Sequence, residues 1–342
     1  MSFIRQSSIL IRNSFNDLYT ISVENGISIN YVNSNFEIKK NKKILSDISS
    51  LSTIYFDIDS NDNIYGLFTE KNKFLNYLHI NGSKIYKTLI LKYDSNKYKI
   101  KFPFIKHLNN KVHIIYYEIN KEKSHFSALV HYYKKNTIWV KSNIDFLNYT
   151  LLNNFEVIIN ESNLKIYYFK LIDRYEELFV ANYSFDKEKW DAPIQITSSK
   201  KSKVYLSVLI DSKNIYHIVY SEKNQNQFYC KYINLFFENK TPHIQNNIFL
   251  STKIPSLFPN LIKYNDILYC QWMEYNHLYS TYSLNNGKSW SDIKLFNEIY
   301  NYSFTQFIFK SNSNKDEYLN APKFYSYTNF LKLLGTKINI NQ

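Results

Sequence analysis

Nearly continuous apolar runs recur along this chain, each introduced by Asn or Asp. Five of them end in Glu, at residues 17–24, 63–70, 111–118, 215–222 and 267–274, and a weaker copy at 163–170 ends in Lys. The terminal positions 24, 70, 118, 170, 222 and 274 are spaced by 46, 48, 52, 52 and 52 residues. A run without polar alternation predicts a strand buried on both faces. Asn16-Asp17, Asn61-Asp62-Asn63, Asn109-Asn110, Asn214 and Asn265-Asp266 stand before the runs. Asn and Asp suit a tight turn there because they tolerate left-handed backbone and bond their own main chain.

The surroundings of each run repeat too. A shorter apolar run comes first (258–264), and after the Glu follow a polar turn, an aromatic strand (277–282) and a last short strand (293–296). Four strands in about 40–50 residues is the period of a propeller blade. No amphipathic helical period competes with it. The sequence thus predicts an all-β chain, a single β-propeller over 1–342 with six four-stranded blades, or seven. The repeat units are 14–50, 51–98, 99–145, 150–198, 203–251 and 256–298. Residues 299–342 are expected either to close the ring against Ile9-Leu10-Ile11 or to form a degenerate seventh blade.

Composition agrees with strands: Tyr (32) and Phe (25) are abundant, while Gly (5) and Pro (6) are scarce. The net charge of +13 raises nucleic acid as a partner, but only Arg5, Arg12 and Arg174 among the 42 basic residues are Arg. Phosphate and base recognition favour the planar Arg fork. The Lys runs at 39–43 and 200–203 fall near blade edges, where a solvated face is expected. No nucleic-acid role is predicted. Cys230 and Cys270 lie in apolar strand patterns and are expected as buried free thiols. His107/His113 and His125/His131 are each six apart, which fits no zinc motif. A phosphate loop and a nucleophile elbow are missing, so no cofactor is expected. No stretch reads as a leader or a membrane span, which predicts a cytoplasmic protein, with non-classical export left open.

Ser283-Leu-Asn285-Asn-Gly287-Lys-Ser289-Trp290 resembles the Asp-box of sialidase-like β-propellers, which joins the third and fourth strands of a blade. Asn285 stands where that motif usually has Asp. A degenerate copy is Ser184-Phe-Asp186-Lys-Glu-Lys-Trp190, and a trace ends at Trp139. The resemblance implies a fold, because these boxes are folding elements away from the active site. It also implies what a sialidase would need: three Arg from different blades, one in Arg-Ile-Pro, a Tyr/Glu nucleophile pair and an Asp acid. Neither Arg5 nor Arg12 is followed by Ile-Pro, and no Arg follows Arg174. Sialidase activity is therefore not expected.

Glu24, Glu70, Glu118, Glu222 and Glu274 are candidate site residues because equivalent carboxylates in a ring could hold a cation. The competing reading, that each caps its strand end, is favoured because a feature that recurs from unit to unit, here in five of six, is architectural. Catalytic and metal-ligating residues are accordingly not assigned. Trp139, Trp190, Trp272 and Trp290 are expected in the core. The chain is thus expected to be a non-catalytic protein-interaction or scaffold module with a protein partner. The alternatives are a glycan-binding lectin of sialidase-like fold and a glycoside hydrolase with a rearranged site. Aromatics over one convex face would favour the scaffold, exposed Tyr clusters beside the channel the lectin, and two carboxylates about 5–10 Å apart the hydrolase.

Overall fold

The structure is a computed structural model that describes residues 8–23, 26–33, 35–44, 50–82, 84–108, 111–123, 125–135, 138–160, 162–251, 255–296 and 303–338. These residues form six sheets and make the chain an all-β, six-bladed β-propeller. Helix among them is confined to 3-10 turns at Leu51–Thr53 and Asn314–Asp316, and none is long and apolar enough to cross a membrane. The blades fall into two compact units, residues 2–148 with 307–316 and residues 149–306 with 317–342.

The N-terminal unit holds three blades. The first consists of Ser8–Arg12, Leu18–Val23, Ile27–Val32 and Ile38–Ile44. Ile54–Ile58, Ile64–Glu70, Phe74–Asn81 and Lys84–Lys92 make the second. The third is Tyr98–Leu108, Lys111–Asn120, Phe126–Lys135 and Ile138–Asn148. Consecutive strands pair antiparallel. Strand Phe304–Ser311 runs parallel to Ser8–Arg12, with Ile308 opposite Ile9. Arg12 fixes this segment through a buried 2.8 Å ion pair with Asp316. Asn312 adds bonds to Asp59 O and Asp62 Oδ1.

The C-terminal unit holds the other three. Glu156–Ile159, Asn163–Ile172 and Tyr175–Ser184 form the fourth blade, whose outer edge is two short strands, Lys189–Trp190 and Ile194–Gln195. The fifth has Lys203–Ile210, Tyr216–Asn224, Gln227–Glu238 and Thr241–Phe249. The sixth has Leu257–Tyr264, Ile267–Glu274, His277–Ser283 and Lys294–Leu295, and Leu319–Asn320 pairs with its first strand. Residues 304–327 therefore extend existing sheets and build no seventh blade.

The second strand of each blade supplies the core. Tyr116, Tyr167, Tyr168 and Trp272 are completely buried, which accounts for their unbroken apolar pattern. Within each unit, neighbouring blades share a core: Phe56 and Phe68 with Ile11 and Ile21, and Leu209, Val219 and Tyr232 with Leu261 and Trp272. With so few Gly, the turns rely on Asn and Asp. Asn16, Asp62, Asn214 and Asn265 have φ of 68°, 62°, 59° and 49°. A second device repeats with them: Asn13, Asp59, Asn160 and Asp211 each turn a side-chain oxygen back onto main-chain N–H groups two to four residues on.

Gly66 lies where the first two strands of the second blade cross tightly. A Cβ there would run into the Tyr55 carbonyl oxygen and the Phe56 ring. Gly66→Ala should lower unfolding stability by about 1–3 kcal/mol, read from a urea midpoint. An unchanged midpoint would contradict this packing.

Candidate functional site

The strand-end carboxylates occupy three kinds of surroundings. Glu70 and Glu118 each pair with a Lys of the same blade's fourth strand, Lys87 at 2.7 Å and Lys141 at 2.8 Å. Glu274 accepts the indole N–H of Trp272 at 2.7 Å, and burial raises its pKa. Glu222 is buried and joins a charged cluster described below. Glu24 lies outside the described residues. Each of the four described carboxylates is thus held by its own local partners. Among the described residues, no group of three or more His, Cys, Asp or Glu is arranged to hold a metal ion.

The 283–290 segment is a well-bonded turn. Ser283 Oγ accepts the N–H groups of Gly287 (2.8 Å) and Asn285 (3.3 Å). Asn285 Oδ1 accepts the Ser289 N–H at 2.8 Å, and its Nδ2 donates to Ser289 Oγ at 2.8 Å. Gly287 has φ of 79°, and a Cβ there would strike the Tyr232 hydroxyl. Trp290 meets the Tyr232 ring edge-on at 4.9 Å, so this turn locks the sixth blade to the fifth. In the degenerate copy, Ser184 Oγ accepts the Lys187 N–H at 3.3 Å, Glu188 takes the positive φ (48°), and Trp190 packs 5.2 Å from Tyr183. Asp186 is exposed. Trp139 stacks on Tyr132 at 4.8 Å, while residues 136–137 of that trace lie outside the described residues.

One set of residues escaped the sequence reading. Phe102, Tyr205 and Phe258 have φ of 50°, 62° and 52°. Each sits in the first strand of its blade where the register against the second strand shifts. A bulky side chain in left-handed backbone costs about 1–2 kcal/mol, and such outliers gather at functional sites. In the C-terminal unit the Tyr205 and Phe258 rings lie 4.2 Å apart, both half-buried. The Tyr205 N–H donates to Asn153 Oδ1 at 3.0 Å, and the Tyr325 hydroxyl donates to Phe258 O at 2.7 Å. The sequence did carry a trace: Phe102-Pro103 and Phe258-Pro259 stand 16 residues before Glu118 and Glu274, and Tyr205 stands 17 before Glu222.

Two residues before Tyr205, Lys203 has a fully buried ammonium. It donates to Glu177 Oε2, Ser199 Oγ and Lys201 O at 2.8 Å and to Glu176 O at 2.9 Å, with Glu222 Oε2 at 3.7 Å. Glu177 is held on both oxygens, by the Lys200 N–H on one and by Thr197 and Lys203 on the other. Glu222 also accepts the Ser199 hydroxyl at 2.8 Å. From this cluster Glu222 faces a cleft of about 250 Å³ with Ser199, Tyr220, Lys231 and Asn247. Burial lowers the Lys231 pKa, opposed by Glu222, and its ammonium sits 4.0 Å from the Phe249 ring centre. A carboxylate, an amide and an ammonium line this cleft and supply both acceptors and donors for a polyhydroxylated ligand.

Removing the Lys203 charge would leave two carboxylates buried without their shared cation. Lys203→Met should cost about 3–5 kcal/mol of unfolding stability. A melting curve like that of the parent chain would contradict the network.

The sequence matches no known protein-family model, and no curated protein sequence matches it. Its fold does match solved structures. An ulvan lyase, a polysaccharide lyase bound to -[GlcA(1-4)Rha3S]-, superposes with a TM-score of 0.62 at 9% identity, covering 97% of this chain and 90% of that one. The α-L-arabinanase of Penicillium chrysogenum, complexed with arabinobiose, gives 0.48 at 12% identity, covering 73% and 94% of the two chains. The six-bladed Aleuria aurantia lectin, a fungal protein with fucose recognition, gives 0.48 at 11% identity, covering 84% and 94%. At these identities the likeness is one of fold. The expectation of a protein-scaffold module is corrected by the polysaccharide-lyase neighbour, which fits the glycan alternatives better. Among the described residues, no single face gathers exposed aromatics to support that reading. The exposed large aromatics, such as Phe15, Tyr86, Tyr275 and Tyr318, are scattered over separate strands and turns.

Proposed function

We propose that this chain is a glycan-binding protein whose C-terminal unit presents the Tyr205–Phe258 pair as a stacking surface. The observation that carries the reading is the left-handed backbone at both aromatics. An unfavourable conformation repeated in two neighbouring blades is retained where it aims side chains at a ligand. Aromatic rings match the apolar face of a sugar, and the Glu222–Lys231–Asn247 cleft of the same unit offers polar contacts. The polysaccharide bound by the ulvan lyase supports the same ligand class. Within this class, the Ser283–Trp290 turn supports a sialidase-like relationship, while Arg12 is engaged by Asp316.

A glycan-cleaving activity is a second reading. It is favoured by one feature, the approach of Glu177 and Glu222 to a single ammonium. Release of reducing ends from a polysaccharide panel, abolished in Glu222→Gln, would establish it.

The binding reading is tested on an array of neutral and acidic oligosaccharides. The parent chain should bind at least one class. Tyr205→Ala and Phe258→Ala should weaken that binding about tenfold or more, each truncation removing on the order of 1–2 kcal/mol of contact. Thermal melting should show both variants folded. Full affinity in both variants, or no glycan bound by the parent, would sink the proposal.

A further inference from the structure

We infer that the N-terminal unit carries a separate binding site for an acidic saccharide, in a cleft between its first and second blades. The cleft measures about 360 Å³ and is lined by Asp17, Tyr19, Tyr31, Lys40 and Lys42 on one side and by Ile64, Ile80 and Gly82 on the other. Sites for small ligands begin at about 300 Å³.

The arrangement follows from strand register. Tyr19 lies opposite Tyr31, Tyr31 opposite Lys40, and Ile29 opposite Lys42, so one face of the first blade carries an aromatic row ending in two ammonium groups. The Lys run at 39–43, expected as a solvated face, is thereby divided. Lys40 and Lys42 line the cleft, while Lys43 lies opposite Ser28 on the other face. Lys42 is steered by a 2.8 Å bond to the Gly82 carbonyl across the cleft. Its pKa is lowered by burial and by the Lys40 charge, so an added anion would favour the charged form of Lys42. Lys40 forms no ion pair among the described residues.

The remaining groups narrow the ligand. The Tyr31 hydroxyl donates to Asp17 Oδ1 at 3.0 Å, which raises the Tyr31 pKa and keeps the phenol protonated. Asp17 Oδ2 also accepts the Asn13 amide, and the Asp17 N–H donates to Asn13 Oδ1, so its position is fixed. A carboxylate beside two ammoniums disfavours a bare polyanion but accepts sugar hydroxyls. The Tyr19 and Tyr31 rings, 5.6 Å apart, offer an aromatic wall to a pyranose. Lys in place of Arg suits a single carboxylate or sulfate as a point charge. The ligand class is therefore a sugar bearing one carboxylate or sulfate.

This site is distinct from the Tyr205–Phe258 surface, and its test is separable. The probes are a glucuronate-containing tetrasaccharide, its carboxyl-reduced neutral counterpart and inorganic sulfate, titrated calorimetrically into the full chain carrying Tyr205→Ala and Phe258→Ala. The acidic tetrasaccharide should still bind, at least tenfold more tightly than the neutral one, and weaken as salt rises. Lys40→Gln with Lys42→Gln should reduce its affinity about tenfold or more, Lys40→Gln alone by less, with melting unchanged. Equal binding of the neutral probe, affinity unchanged in the double Lys variant, or sulfate binding as tightly as the tetrasaccharide would each overturn the inference.

Discussion

The structure depends on one constraint: the second strand of the second to sixth blades is buried on both faces and must be covered on both. A strand of this kind is stable only between two neighbours, so each blade needs the next. That requirement explains why many of the Tyr and Phe are spent on packing. Tyr116, Tyr167, Tyr168 and Tyr220 are buried beneath neighbouring blades and are not available to ligand. It also explains the turns. A chain with five Gly must place Asn and Asp where left-handed backbone is needed, and it does so at the same point of successive blades.

Charge is buried at defined places within this frame. Lys203 gathers Glu177 and Glu222 in the C-terminal unit, and Arg12 pairs with Asp316 in the N-terminal unit. Removing one member of such a pair costs far more than the intact pair contributes. The Lys203 cluster has a second consequence. It fixes the start of the first strand of the fifth blade, two residues from Tyr205, where the register shifts and the aromatic backbone turns left-handed. A rigid polar anchor beside a strained aromatic is how a fold presents a side chain in one orientation.

Much of the fold was legible in the sequence. The Glu-terminated runs and the Asn/Asp turns identified the blades because both arise from local chemistry repeated at a fixed period. The Ser283–Trp290 turn was legible for the same reason, since its bonds span only a few residues. The aromatic pair was not. A register shift is set by the partner strand, and only the Phe-Pro dipeptides at 102–103 and 258–259 hinted at it. The cleft of the first blade was hidden likewise, because a run of lysines does not show which members share a face with Tyr31 until the strands are paired. The strand-end Glu residues were visible, but their roles diverge with their partners: a salt bridge at Glu70, an indole N–H at Glu274, a shared ammonium at Glu222.

Hydrogen–deuterium exchange of the parent chain, with and without a bound oligosaccharide, tests the central claim most directly. The account predicts slowed exchange in peptides covering 203–207 and 257–260, together with those lining the Glu222 cleft. Binding that leaves these peptides unprotected, with protection confined to other parts of the chain, would contradict it.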